Sequence, residues 1–150
     1  MRVVLQKVKK ASVTAGEYYQ SIEMGYCLLV GIGANTTDED LKVVAKKIAN
    51  TRIFEDDNGK MNLSIHDVGG QILSISQFTL LANVKKGNRP SFTNAKSPEI
   101  AQQMYEKFND YLRDEGLIVH PGVFGAMMAI ELVNDGPVTI IFESAEGKIQ

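Results

Sequence analysis

Gly69-Gly70-Gln71-Ile72-Leu73-Ser74-Ile75-Ser76-Gln77-Phe78-Thr79-Leu80 is an apolar run that closes on three hydrogen-bonding side chains gathered around one phenylalanine. The glycine pair breaks the chain, Ile72, Leu73 and Ile75 supply β-branched and aliphatic bulk, and the run has the length of a strand rather than a helix. A buried strand is predicted here, with Ser76, Gln77 and Thr79 at its mouth. Polar groups at such a place need water, backbone or a ligand, because burying one unpaired costs about 1–3 kcal/mol. Ser76 and Thr79 can bond neighbouring backbone while Gln77 points to solvent, or the cluster can line a site. The motif alone leaves both readings open.

A second stretch, Asn134-Asp135-Gly136-Pro137-Val138-Thr139, lies between two further strand-like runs. Proline cannot donate to a sheet ladder, so Gly136-Pro137 is expected at a strand end, a bend or an edge. A trans bond there makes an ordinary turn. A cis bond, which an X–Pro pair tolerates, lets the carbonyls of Gly136 and Pro137 project side by side as acceptors for an ammonium group.

Around these two stretches the chain alternates strands with two helices. Arg2 to Val8 reads as a strand with Ala11-Ser12-Val13 as its continuation, Ala15-Gly16-Glu17 as a turn, and Glu17 to Met24 as a weaker strand. Tyr26 to Ile32 is too short for a helix and too apolar for an exposed strand, so it is expected to be buried on both faces. Thr36-Thr37-Asp38-Glu39-Asp40 offers an N-cap and early acids, and Leu41, Val44, Ala45 and Ile48 recur at helical spacing, which predicts an amphipathic helix over 38–50 with Lys42, Lys46 and Lys47 facing water. Arg52-Ile53-Phe54 and Lys60 to Leu63 flank the turn signal Asp56-Asp57-Asn58-Gly59 and predict a hairpin. Ala82 to Lys96 is a polar loop. Ser97-Pro98-Glu99 then starts a second helix, with Ser97 as cap and Pro98 in its first turn; Ile100, Ala101, Met104, Phe108, Tyr111 and Leu112 keep the period until Gly116. Ala126 to Val133 and Val138 to Phe142 are expected as two strands.

With 150 residues and 44% hydrophobic content, the chain is expected to be one domain spanning 1–150, large enough to bury a core. A net charge of −2 and a pI near 5.7 argue against a wide basic face for coating nucleic acid and leave room for local contacts such as Lys85, Lys86 and Arg89. The start of the chain returns to charge too soon for a signal peptide, and no run approaches the ~18–20 apolar residues of a membrane span. With the single Cys27, these features point to the cytoplasm.

Several enzyme signatures are missing. There is no phosphate-binding loop or dinucleotide fingerprint, and Gly31-Ile32-Gly33 lacks a third glycine at the right spacing. His66 and His120 have no Cys or acidic partners at metal-ligand spacing, Cys27 sits among aliphatics, and no nucleophile elbow surrounds a serine. Neither a metal nor a cofactor is expected. What remains is a site of backbone groups and hydroxyls: amides at a strand end can stabilise an oxyanion, Phe78 can stack on a planar ligand, and Thr79 adds a hydroxyl.

The two motifs together, in this order and separation, resemble the paired signature of the D-aminoacyl-tRNA deacylase family, also called D-tyrosyl-tRNA(Tyr) deacylase. The resemblance runs nearly end to end and takes in Gln6 to Val8, Ala11-Ser12-Val13, Arg52-Ile53-Phe54, Gly59 to Leu63, Arg89-Pro90-Ser91-Phe92 and Phe124 to Met128. It implies an α/β domain of layered, mainly antiparallel sheets with two main helices, forming a homodimer that cleaves the ester between a D-amino acid and the 3′-terminal adenosine of tRNA and clears mischarged glycine. By the same resemblance, Gly136 and Pro137, joined in cis, reach into the partner's pocket, grip the α-ammonium and leave no room for an L side chain. Ser76, Gln77, Phe78 and Thr79 line the pocket for the adenosine and the ester, with N–H groups near Phe78 and Thr79 polarising the carbonyl. Thr79 is the candidate nucleophile, yet a lone hydroxyl without a base is weakly activated, so assistance by the RNA 2′-hydroxyl is favoured. The family often carries Arg where this chain has Lys7, a residue taken to brace the Gly-Pro loop; Lys lacks the planar fork for a bidentate contact. Two other classes fit the same residues: a non-catalytic dimeric RNA-binding module, and a hydrolase of small D-amino-acid esters or N-acyl D-amino acids.

Overall fold

In the computed structural model, which describes residues 1–150, strand β1 runs unbroken from Arg2 to Ala15 and forms the spine of a mixed seven-stranded sheet. Its outer end pairs with β2 (Tyr18–Ile22) across the turn predicted at Gly16. Its inner part pairs antiparallel with β3 (Gly25–Gly31), the run expected to be buried on both faces; every residue of it but the half-buried Leu29 is buried. Between β3 and the next strand of the main sheet lie helix α1 (Asp38–Asn50) and a small separate hairpin, β4 (Arg52–Glu55) with β5 (Met61–Ser64). Strand β6 (Gln71–Ser76) then enters parallel to β3, helix α2 (Pro98–Asp114) follows, and β7 (Val119–Pro121) pairs parallel to β6. Parallel neighbours need a crossover of a dozen or more residues, and the two helices supply those crossovers. The remaining pairings are antiparallel: β8 (Ala129–Ala145) lies along β1, and β9 (Lys148–Ile149) folds back on its end.

Helix α1 starts where the sequence places it. Thr37 is the N-cap, and its capping box with Asp40 satisfies two amides that would otherwise be orphaned. Leu41, Val44, Ala45 and Ile48 are fully buried. They meet Tyr105, Phe108 and Leu112 of α2 over one face of the sheet, in a core that includes Leu5, Tyr26, Leu28 and Phe54. A smaller cluster of Val8, Ala11, Val13, Ile22, Cys27, Leu73 and Ile75 lies apart from it. Burial raises the Cys27 thiol to about 11, which suits the inert core residue expected there.

Three expectations are corrected in detail. Ser97 occupies the N-cap position of α2, but its side chain makes no capping bond; Pro98 at the start of the helix fixes the backbone without it. Ile100 keeps the helical period in sequence yet stands half-exposed in the first turn, outside the reach of the core. The two C-terminal strands are one, because β8 absorbs Gly136-Pro137 as an outward bulge and continues on the same partner.

Candidate active site

Strand β6 delivers the first motif. Its last residue, Ser76, pairs with Val30 of β3, the Gln77 amide donates to the Val30 carbonyl at 2.8 Å, and the chain turns into one 3₁₀ turn over Phe78–Leu81. The strand mouth read from the sequence is therefore a strand end followed by a tight turn. Gly31 allows the turn to lie on β3, since a Cβ there would come within 2.5 Å of Leu81 and 3.1 Å of Leu80. Arg2 fastens it from below: one guanidinium nitrogen donates to the Leu80 carbonyl at 2.9 Å while Nε pairs with Glu143 at 2.7 Å. Behind the strand, Tyr105 donates to the Ser74 carbonyl at 2.6 Å and the Ser74 hydroxyl to Asn109 at 2.7 Å, which ties α2 to β6.

Phe78 and Thr79 open the turn, so their N–H groups find no acceptor within it, and none elsewhere in the chain takes them up. Two adjacent free donors at an exposed strand end make an anion or carbonyl cradle. Phe78 is 57% exposed, held edge-on by Phe92 at a centroid distance of 5.1 Å, and presents a ring to solvent. The Thr79 hydroxyl accepts a hydrogen bond from the Gln77 side-chain amide and has no acid or imidazole bonded to it. Ser76 is half-buried without a side-chain bond of its own.

The second motif is a bulge in the β1–β8 ladder. Gln6 pairs with Thr139 and Val8 with Asn134, so Lys7 alone faces the stretch 135–138. Gly136 and Pro137 are exposed at its tip, joined by a cis bond, and Gly136 has φ +138°. Asn134 closes the loop from both sides: its Oδ1 accepts from the Val138 amide at 2.8 Å and its Nδ2 donates to the Thr139 hydroxyl at 3.0 Å. Lys7 sits beneath, 7% exposed, with its ammonium 5.1 Å above the Phe54 ring and no hydrogen bond to the bulge. Asn134 therefore braces the loop by hydrogen bonds, while the Lys7 side chain is engaged with the Phe54 ring instead. Asn134, Arg2 and the Tyr105–Ser74–Asn109 network were not singled out for these roles from the sequence; only the Asx-type position of Asn134 before a Gly-Pro turn could have signalled one of them.

The sheet keeps the two motifs apart within one chain. Ser76 lies in the cross-strand row Ser76–Val30–Val3–Phe142, whereas the bulge lies in the row of Ile72, Tyr26 and Lys7. Three strand spacings across and four residues along amount to roughly 20 Å. Ser76 to Thr79 form one contiguous group and Gly136 and Pro137 another, on opposite parts of the sheet.

Comparison with known proteins gives a consistent picture. A family model described as D-Tyr-tRNA(Tyr) deacylase matches residues 4–143. A Staphylococcus aureus (strain JH9) protein named D-aminoacyl-tRNA deacylase is 59% identical over 150 residues, covering 100% of both chains. A solved structure described as c-Myc DNA Unwinding Element Binding Protein is 42% identical, with a TM-score of 0.88 over 96% of this chain and 99% of that one. Another, described as a probable eukaryotic D-amino acid tRNA deacylase, shares the fold at 20% identity, with a TM-score of 0.82 over 94% and 97% of the two chains. A single α/β domain with a strand-end amide pair, a Gly-Pro bulge on the opposite part of the sheet, and a family match across almost its whole length is thus a member of the D-Tyr-tRNA(Tyr) deacylase family.

Proposed function

We propose that this enzyme hydrolyses the ester between a D-amino acid, or glycine, and the 3′-terminal adenosine of tRNA, as a homodimer acting in the cytoplasm. Family membership supports the reaction. The observation that carries the assembly is the separation of roughly 20 Å between the two motifs of one chain, estimated from strand spacing and rise. The site becomes complete when the Gly136-Pro137 tip of one subunit enters the pocket of the other.

In this reading Phe78 stacks on the adenine, and Ser76 and Gln77 border the ribose. The free amides of Phe78 and Thr79 bind the ester carbonyl oxygen and hold the negative charge it gains when water adds to the carbonyl carbon. The tetrahedral intermediate collapses by breaking the bond to the ribose 3′-oxygen, which takes up a proton, and the products are the free amino acid and tRNA. The neighbouring 2′-hydroxyl of the RNA relays that proton, since Thr79 is already engaged by Gln77 and has no base beside it. The partner's tip grips the α-ammonium through main-chain carbonyls. An L side chain would then collide with backbone, while a D side chain or the hydrogen of glycine points away; discrimination rests on exclusion rather than on a side-chain pocket.

Incubating the protein with D-tyrosyl-tRNA and with L-tyrosyl-tRNA tests the reading. Selective release of D-tyrosine is expected, and equal or absent release refutes it. Cleavage of D-tyrosine methyl ester at a comparable kcat/KM would assign the protein to small esters instead.

A further inference from the structure

Residues 68–98 contain Lys85, Lys86, Arg89 and Lys96 and no acidic residue. That segment carries a formal +4 within a chain of net −2, which leaves −6 on the rest. Charge is segregated, and the positive part lies on the loop that leaves the 3₁₀ turn at Phe78. Lys96 is engaged, its ammonium donating to the Thr36 carbonyl at 2.8 Å. Lys85, Lys86 and Arg89 are exposed and form no ion pair, whereas Lys42, Lys107 and Arg113 on the two helices each have an acidic partner.

The loop holds these three cations in a defined place. Asn83 and Ser91 exchange both backbone hydrogen bonds at 2.7 and 2.9 Å, and the Asn83 side chain accepts from the Lys85 amide at 3.0 Å. The returning arm brings Phe92 against Phe78 at 5.1 Å. The cations therefore lie exposed on the loop whose returning arm packs against the ring that receives the terminal adenosine in the reading above, on which this inference rests.

We infer that Lys85, Lys86 and Arg89 grip the phosphodiester backbone of the tRNA acceptor end, adding affinity that does not depend on its sequence. Cations that neutralise phosphates release condensed counterions, about 0.7–0.9 per contact, so three contacts give a slope of about −2 to −3 in log affinity against log salt. Asp or Glu near the tip would cancel this, and the loop has none.

The test uses fluorescence anisotropy of a labelled, uncharged acceptor-stem minihelix ending in CCA. Between about 50 and 200 mM salt, wild-type affinity is expected to fall about 20–40-fold more than that of the triple variant Lys85→Gln, Lys86→Gln, Arg89→Gln. The variant also shows a raised KM and an unchanged kcat on D-tyrosyl-tRNA. The variant pair Lys46→Gln, Lys47→Gln, on the exposed face of α1, removes two positive charges against the three of the test variant and is expected to leave the slope as in wild type. A triple variant with wild-type affinity and slope overturns the inference, as does a control that loses as much, or a wild type that does not bind the minihelix. Because the minihelix is uncharged, its binding is read independently of deacylation, and a protein that binds it yet releases no D-tyrosine would count against the proposed reaction alone.

Discussion

Replacing Gly136 with Ala probes the tip of the bulge through its backbone. At φ +138° an L side chain is strained, and a Cβ placed there would lie 2.6 Å from Val138 Cγ2 and 2.9 Å from the Val138 amide nitrogen. Neither contact can be relieved by rotating a flexible side-chain end, because Val138 is β-branched and its amide is held by Asn134 at 2.8 Å. Holding a residue in such a region costs about 1–3 kcal/mol. The loop is expected to leave its native shape rather than carry that strain, so the competent fraction falls by about 5–150-fold at about 1.4 kcal/mol per factor of ten. Pairing of β1 with β8 continues on both sides of the bulge, from Arg2 to Gln6 and from Val8 to Thr14, so the fold should survive with Tm lowered by no more than about 5 °C. The assay is steady-state deacylation of D-tyrosyl-tRNA and L-tyrosyl-tRNA, beside a thermal melt. A folded Gly136→Ala protein with wild-type kcat/KM and wild-type preference for the D ester would refute the role given to the tip.

Thr79→Ala should retain deacylation within about tenfold of wild type, since the amides and not the hydroxyl are taken as the chemical groups; near-total loss with normal minihelix binding would restore Thr79 as nucleophile. Asn134→Ala removes both bonds that close the loop, at about 0.5–1.5 kcal/mol each, and should lower kcat/KM by about 5–150-fold with little change in Tm. Asp40 is buried; burial pushes its carboxyl up, but hydrogen bonds from Ser144, Thr37 and Gly147 more than offset this and hold it below the usual range. Because its folded pKa is depressed, the stability it gives is present in full above the ordinary carboxylate value of about 3.9 and is lost as pH falls through the folded value. Thermal melts should therefore show Asp40→Asn well below wild type at neutral pH, with the gap closing below about pH 4; a gap that widens on acidification would contradict that assignment.

What could be read in the sequence was whatever is local. The limits of α1, 38–50, follow from a capping box and an apolar period that agree with each other, and the hairpin of β4 and β5 from a four-residue turn signal. The parallel insertion of β6 between β3 and β7 is set by packing over long stretches of chain and leaves no local mark. Continuity of β8 was hidden for the opposite reason: Gly136-Pro137 is a strong local break, overridden because β1 offers pairing partners on both sides of the bulge. Strand β9 has only two residues, Lys148 and Ile149, too few to carry a period. The two motifs stand out locally in the sequence, but the groups that hold them in place do not: Arg2 and Asn109 act over 78 and 35 positions of sequence separation.

The main-chain site proposed above would also account for the lack of side-chain signatures of a hydrolase in this chain. Amide donors are available wherever a strand ends in a tight turn, so what has to be encoded is their position: Gly31 lets the turn settle on β3, and Arg2 holds its Leu80 carbonyl. The same holds at the bulge, where Asn134 sets the course of the backbone. Both motifs are held in one sheet, roughly 20 Å apart by strand spacing and rise, so the function proposed above needs a second subunit to bring them together. In the dimer proposed above, twofold pairing of subunits would resolve that conflict without flexible linkers, because each copy would present a finished half to a finished half. Selectivity based on excluding an L side chain needs such stiffness, since a loop free to yield by an ångström would admit what it must reject.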